Sequence, residues 1–108
     1  MAEKRVVWTS RATKQLRSIL KYWLENNQSD TYSQKLIDRI DINTQGILRN
    51  PKRCPETIFK NTRVSSLGNY SIFYKIESNG IIITAFWDNR QDPEKLRDFL
   101  KKNAGAAK

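Results

Sequence analysis

Apolar and polar positions along this chain follow two rhythms, and the change between them divides it. Arg5-Val6-Val7-Trp8 is a short β-branched and aromatic run that predicts a first strand. Thr9 and Ser10 follow, and either can cap a helix. From there to about Asn26, Ala12, Leu16, Ile19, Leu20 and Trp23 recur at helical spacing. Arg11, Lys14, Arg17 and Lys21 fall on nearly the opposite face, so this helix carries one apolar and one cationic stripe. Asn26-Asn27-Gln28 is a polar stop, and Ser29 or Asp30 caps a second helix. Its stripe is Tyr32, Leu36, Ile40 and Ile47, flanked by Ile37 and Leu48. Two amphipathic helices on so short a link predict an antiparallel hairpin. Asn50-Pro51 ends it, because proline cannot continue a helix and pushes its predecessor out of the helical region.

Past the restricted loop Pro51–Pro55 the period becomes two. Thr57–Ser65 predicts a strand and Leu67-Gly68-Asn69 a turn. Tyr70–Ile76 predicts a strand with Tyr70, Ile72, Tyr74 and Ile76 on one face and Ser71, Phe73 and Lys75 on the other. Glu77-Ser78-Asn79-Gly80 is a hairpin turn, its Asn-Gly favouring positive φ. Ile81–Asp88 is the most apolar strand and is expected at the centre. Asp92 and Pro93 open a third helix with Leu96, Phe99 and Leu100 as its stripe. The fold class is therefore α+β: an N-terminal strand, an antiparallel helical hairpin, a three-stranded antiparallel meander completing a small curved sheet, and a short C-terminal helix. One domain is expected over 1–103, with 104–108 a frayed tail. The expected core is Leu16, Ile19, Trp23, Leu36, Ile40, Ile72 and Ile83. The second sheet face is expected to be open, with Phe73 outward on it as an apolar contact for a target.

Composition narrows the chemistry. The 108 residues contain no histidine and a single cysteine, Cys54. That excludes Ser-His and Cys-His nucleophile pairs, a histidine base, an internal disulfide framework and a cysteine-rich zinc site. No acidic cluster has metal-ligand spacing, so no metal and no cofactor are expected. No apolar run approaches the roughly 20 residues of a membrane-crossing helix, and no signal peptide is discernible, so a cytoplasmic protein without a membrane partner is expected. The formal net charge is +9. A field of that sign attracts polyanions: nucleic acid, an anionic membrane or an acidic protein partner, of which the first and last are expected here. Arg11, Lys14, Arg17 and Lys21 are the candidates for that contact.

The order of elements and several local runs resemble the RelE/ParE superfamily of type II toxin–antitoxin toxins. The resemblance is carried by Val7-Trp8-Thr9, Ile19-Leu20-x-Tyr22-Trp23, Asn50-Pro51, the segment from Asn69 to Ile76, and Asp88-Asn89-Arg90-Gln91-Asp92-Pro93-x-Lys95-Leu96. It covers roughly residues 5–97. It implies a small basic toxin neutralised by an acidic antitoxin in a hetero-oligomer. RelE-like members cut mRNA on the ribosome, whereas ParE-like members inhibit DNA gyrase without cutting nucleic acid. RelE-like nucleases often carry an arginine where this chain has Ser71, and a His-Tyr pair where it reads Asp88-Asn89-Arg90. The resemblance thus leans towards gyrase inhibition, with mRNA cleavage, or a plain nucleic-acid-binding module, as alternatives.

Cleavage by a 2′-hydroxyl would need a base, an acid and cations around phosphorus. Asp88 is the candidate base, and Arg63, Lys75 and Arg90 are the candidate cations, Arg90 also serving to grip any other target. Tyr70 is an acid only if its pKa falls. Asp88 also has a structural alternative, as the ion-pair partner of Arg90.

Overall fold

The computed structural model describes residues 4–27 and 31–90. Strand β1 is Arg5–Trp8, helix α1 Ser10–Asn27, helix α2 Thr31–Arg49, and strands β2, β3 and β4 are Arg63–Leu67, Tyr70–Glu77 and Gly80–Asp88. The sheet order is β1-β4-β3-β2, with β1 parallel to β4 and the other pairs antiparallel. The α+β architecture read from the sequence is the one observed, with β4 inside the sheet. The expected caps Ser29 and Asp30, the third helix with Leu96, Phe99 and Leu100, and the tail lie outside the described residues.

Helix α1 starts where Thr9 Oγ1 accepts the Ala12 N–H at 3.2 Å, so Thr9 rather than Ser10 is the cap. Both helices lie on one sheet face. Between them and the sheet are Ala12, Leu36, Ile40, Ile47, Tyr70, Ile72, Tyr74, Ile81, Ile83 and Phe86, with Leu16 and Ile19 packed at the margin. Leu36 is 1% exposed, and Leu36→Ala is expected to cost about 2–5 kcal/mol in denaturant melts, the range for a truncated core leucine.

Gly80 opens β4 at the end of the β3–β4 hairpin turn. Its φ is +141°, and a Cβ there would stand 1.9 Å from the Arg5 carbonyl oxygen. Only glycine lets β1 lie this close. Past the end of β1 the ladder is continued by a side chain: Gln15 Oε1 accepts the Phe86 N–H at 2.9 Å. An exposed strand edge is thereby satisfied from α1.

Three expectations differ. The segment from Thr57 is not a strand until Arg63; only Glu56 bridges to Arg63 before it. Thr57 instead folds the chain on itself. Its N–H and hydroxyl both donate to the Thr62 carbonyl at 2.9 Å, with Asn61 at a φ of +57°. Phe73 is not outward-facing in solvent. It is 6% exposed, packed with Ala85, Phe59, Val64 and Trp87 in a second small cluster. The loop that replaced the expected strand delivers Phe59 to it. Ile76, expected to face inward with Ile72 and Tyr74, is 37% exposed near the strand end.

One irregularity redirects a whole strand end. Phe73 pairs with Ala85 and Tyr74 with Ile83, leaving Thr84 as an extra residue in β4. Such a bulge reverses which side each later residue faces. Ile81 and Ile83 point to the helices before it; Phe86 does so after it, while Ala85 joins the second cluster. Asp88, two residues beyond Phe86, shares the helix face. Without the bulge it would face away.

Candidate functional site

At that end of β4 the sheet meets the C-terminal half of α1, and aromatic side chains gather. Trp23 Nε1 donates to the Tyr70 hydroxyl at 3.0 Å, and the Tyr32 and Tyr70 hydroxyls lie 3.4 Å apart. The Trp23 and Tyr32 rings are 4.5 Å apart, Tyr22 meets Trp23 edge-on at 5.4 Å, and Tyr70 stacks on Phe86 at 5.2 Å. Trp23 is only half-buried, so it is a wall of this cluster rather than the expected core residue. Its indole N–H needs a partner, and Tyr70 supplies one.

Arg90 closes the cluster from above. Its guanidinium forks onto Asp88, Nε to Oδ1 at 2.9 Å and Nη2 to Oδ2 at 2.7 Å, and the Arg90 N–H adds a third bond to Oδ1 at 2.9 Å. The same guanidinium lies 5.7 Å from the Trp23 ring centre, a cation–π distance. Between these groups a groove of about 420 Å³ is lined by Ser18, Ile19, Tyr22, Trp23, Asp88 and Arg90. Tyr22 is 56% exposed on its lip. A smaller hollow of about 160 Å³ continues it along α1 and β4, past Gln15 and Trp87.

Protonation follows from these contacts. The Arg90 hydrogen bonds hold the Asp88 carboxyl below the usual carboxylate range. A carboxylate so engaged is a weak base with its lone pairs occupied. Tyr70 moves the wrong way for an acid. Burial, aided by the Tyr32 hydrogen bond and opposed by that from Trp23, pushes its phenol up to about 12. Burial also raises Tyr74, whose hydroxyl donates to the Pro51 carbonyl at 2.7 Å. Both tyrosines are therefore core phenols.

The fold favours the neutral phenol, so this stability is complete below about pH 10 and is lost as pH rises towards 12. Denaturant melts are expected to weaken over that window by about 2 kcal/mol on account of Tyr70. Tyr70→Phe should flatten the slope. An unchanged slope in that variant would show that the Tyr70 phenol is not held neutral by the fold.

The other candidate cations stand elsewhere. Arg63 Nη1 donates to the Cys54 and Lys52 carbonyls at 2.6 and 3.3 Å, and Nη2 lies 3.7 Å from Glu56. It fastens the Pro51–Pro55 loop to β2. Lys75 shares a shallow pocket of about 320 Å³ with Arg63, but Glu56 and Glu77 line it too and offset the charge. Lys75 is five residues along β3 from Tyr70, the register partner of Asp88, roughly 16 Å at strand rise. Arg63 and Lys75 thus come together, and Asp88 and Arg90 come together, but the two pairs do not meet. Arg90, expected at the rim of an open sheet face, is on the helix side because of the bulge. Arg11, Lys14, Arg17 and Lys21 are exposed along α1, with Lys21 3.9 Å from Glu25. Among the described residues no group of three or more histidine, cysteine, aspartate or glutamate side chains could hold a metal ion. No described helix is long and apolar enough to cross a membrane.

Sequence reasoning did not single out Tyr22, Ser18 or Tyr32 for this groove. The signal was the adjacent pair Tyr22-Trp23: successive helix residues stand about 100° apart, and with Trp23 at the centre of the apolar stripe Tyr22 falls outside it.

Comparison with known proteins is consistent with this picture. A family model described as the ParE toxin of the type II toxin-antitoxin system parDE matches residues 6–93. Among solved structures, one described as the chromosomal ParDE TA system from P. aeruginosa superposes with a TM-score of 0.65 at 15% identity, covering 77% of this chain and 92% of that one. Another, a YoeB-YefM complex from Staphylococcus aureus, superposes with a TM-score of 0.53 at 16% identity, covering 79% and 95%. At such identities these structures speak for the fold. No curated protein matches the chain.

Proposed function

The chain belongs to the ParE toxin family of type II toxin–antitoxin systems, and on that premise we propose that it arrests growth by inhibiting DNA gyrase, without cutting nucleic acid. The observation that carries this reading is the separation of the groups a ribonuclease would need. Asp88 is tied up by Arg90 at one end of the sheet, while Arg63 and Lys75 are held at the other. Tyr70 keeps its proton. What remains at the groove is recognition chemistry: an exposed tyrosine, a half-buried tryptophan and a guanidinium half open to solvent. Tyrosine, tryptophan and arginine are the side chains that anchor protein interfaces. Tyr22, Trp23 and Arg90 are the surface we assign to the target.

The net charge of +9 suits an acidic antitoxin as the neutralising partner, in the cytoplasm. The solved relatives are themselves described as toxin–antitoxin systems or complexes.

The test is a supercoiling assay with purified gyrase beside a ribosome-programmed mRNA cleavage assay. Inhibition of supercoiling with intact mRNA is expected. Cleaved mRNA and unimpaired gyrase would overturn the reading.

A further inference from the structure

The second helix carries two stripes. Ser33, Leu36, Ile40, Thr44 and Ile47 form the buried one, and Gly46, buried too, stands at its edge. About a third of a turn round, at 100° per residue, lie Arg39, Ile42, Asn43, Gly46 and Arg49. With Arg53 and Leu67 they line a groove of about 370 Å³ between α2 and β2, well away from the Arg90 groove. Asp38 borders this stripe beside Arg49, but neither it nor Asp41 lines the groove. Among the described residues none of the three guanidiniums has an ion-pair or hydrogen-bond partner. Three like charges around one hollow, with no carboxylate lining it, make it a local site of positive potential that a bound anion would relieve.

The hollow is shaped for those side chains. A Cβ at Gly46 would lie 2.7 Å from Arg53 Nη1, so any larger residue there moves the end of that flexible side chain. Glycine is otherwise the poorest helix residue after proline. Arg39 rests in the same way against the β2–β3 turn, its Nη2 3.1 Å from where a Cβ of Gly68 would be. Asn43 accepts from Ser65 through Oδ1 at 2.9 Å, which leaves its amide donors for the groove. In the middle stands Ile42, 71% exposed, above buried Leu67.

We propose that this groove binds an acidic peptide segment in which carboxylates flank an apolar side chain. Guanidinium forks take carboxylates bidentately. The exposed Ile42 asks for apolar cover, which a phosphodiester backbone does not provide. The inference rests on the reading of an acidic antitoxin and assigns that partner a surface.

The experiment measures binding of a short labelled glutamate peptide containing two leucines to the full chain, beside an all-glutamate peptide and a short DNA duplex. Wild type is expected to bind the leucine-containing peptide saturably and best. Arg39→Gln/Arg49→Gln/Arg53→Gln should weaken it about 30-fold or more, and the control Lys4→Gln/Arg5→Gln/Lys60→Gln, with equal charge loss, less than about 3-fold. Gly46→Ala keeps every charge but displaces Arg53, and should weaken binding about 5-fold with an unchanged or raised Tm. No binding by wild type, equal loss in the control, or DNA as the better ligand lost in the triple variant would each overturn the groove assignment. Co-expression separates the two levels. If an acidic partner neutralises wild type and the triple variant equally, the groove falls alone; if no acidic partner neutralises wild type, the antitoxin reading falls with it.

Discussion

Phe86→Ala is expected to lower stability by about 3–5 kcal/mol, the cost of emptying a buried phenylalanine site, and a domain of this size has little more to lose. Phe86 is 1% exposed and stacks on Tyr70 at 5.2 Å, with Trp8 6.2 Å away. Its ring therefore joins β1, β3 and β4 in one contact, while its backbone N–H is held by Gln15. Equilibrium denaturation at neutral pH measures the loss. Phe86→Leu, which keeps most of the volume, should cost about 1 kcal/mol. A loss below about 1 kcal/mol for the alanine variant would mean that the bulge does not turn Phe86 into the core.

The second large effect concerns Arg90 and Asp88. Arg90→Ala is expected to weaken gyrase inhibition about 30-fold or more, because it removes the cation over Trp23 and an anchor at the groove. Asp88→Asn should leave inhibition within about 3-fold, since the proposed activity asks Asp88 for no proton and an amide can still accept from Arg90. A ribonuclease would behave otherwise, losing about 100-fold with its base. Dose-dependent supercoiling assays with folded variants read both. Equal collapse of both variants, with mRNA cut by wild type, would reverse the assignment of function.

Much of this was legible in the residues, for identifiable reasons. The hairpin of helices followed from two apolar stripes of period 3.6, and the meander from the switch to period two and the Asn79-Gly80 turn. The pairing of Asp88 with Arg90 was one of the alternatives a two-residue spacing leaves open. Less legible was anything that depends on counting across strands. Thr84 is an ordinary β-branched residue in an apolar run, and nothing in that run marks it as the extra residue of a bulge. Yet that one residue decides whether Asp88 meets Trp23 or the opposite face. Phe73 misled for a related reason. Its outward position was correct, but its cover comes from Phe59, in a turn built by Thr57 hydroxyl bonds where alternation suggested a strand. The arginine groove escaped because its members are spread over α2 and the following loop, and charge alone does not distinguish a solvated face from a converging one.

The position of β1 bears on when, during synthesis, the folded site first exists. Arg5–Trp8 leaves the ribosome before every other described element, yet it pairs with Gly80–Ile83, among the last described residues to emerge. Every contact in that ladder closes a loop spanning both helices and the other strands, the slowest kind of contact to form. Until β4 is out, the first strand has no partner and α1 has no sheet to lie on. Asp88 and Arg90 arrive later still. The groove beside Trp23 therefore cannot assemble until the last described strand and the residues just after it have been made.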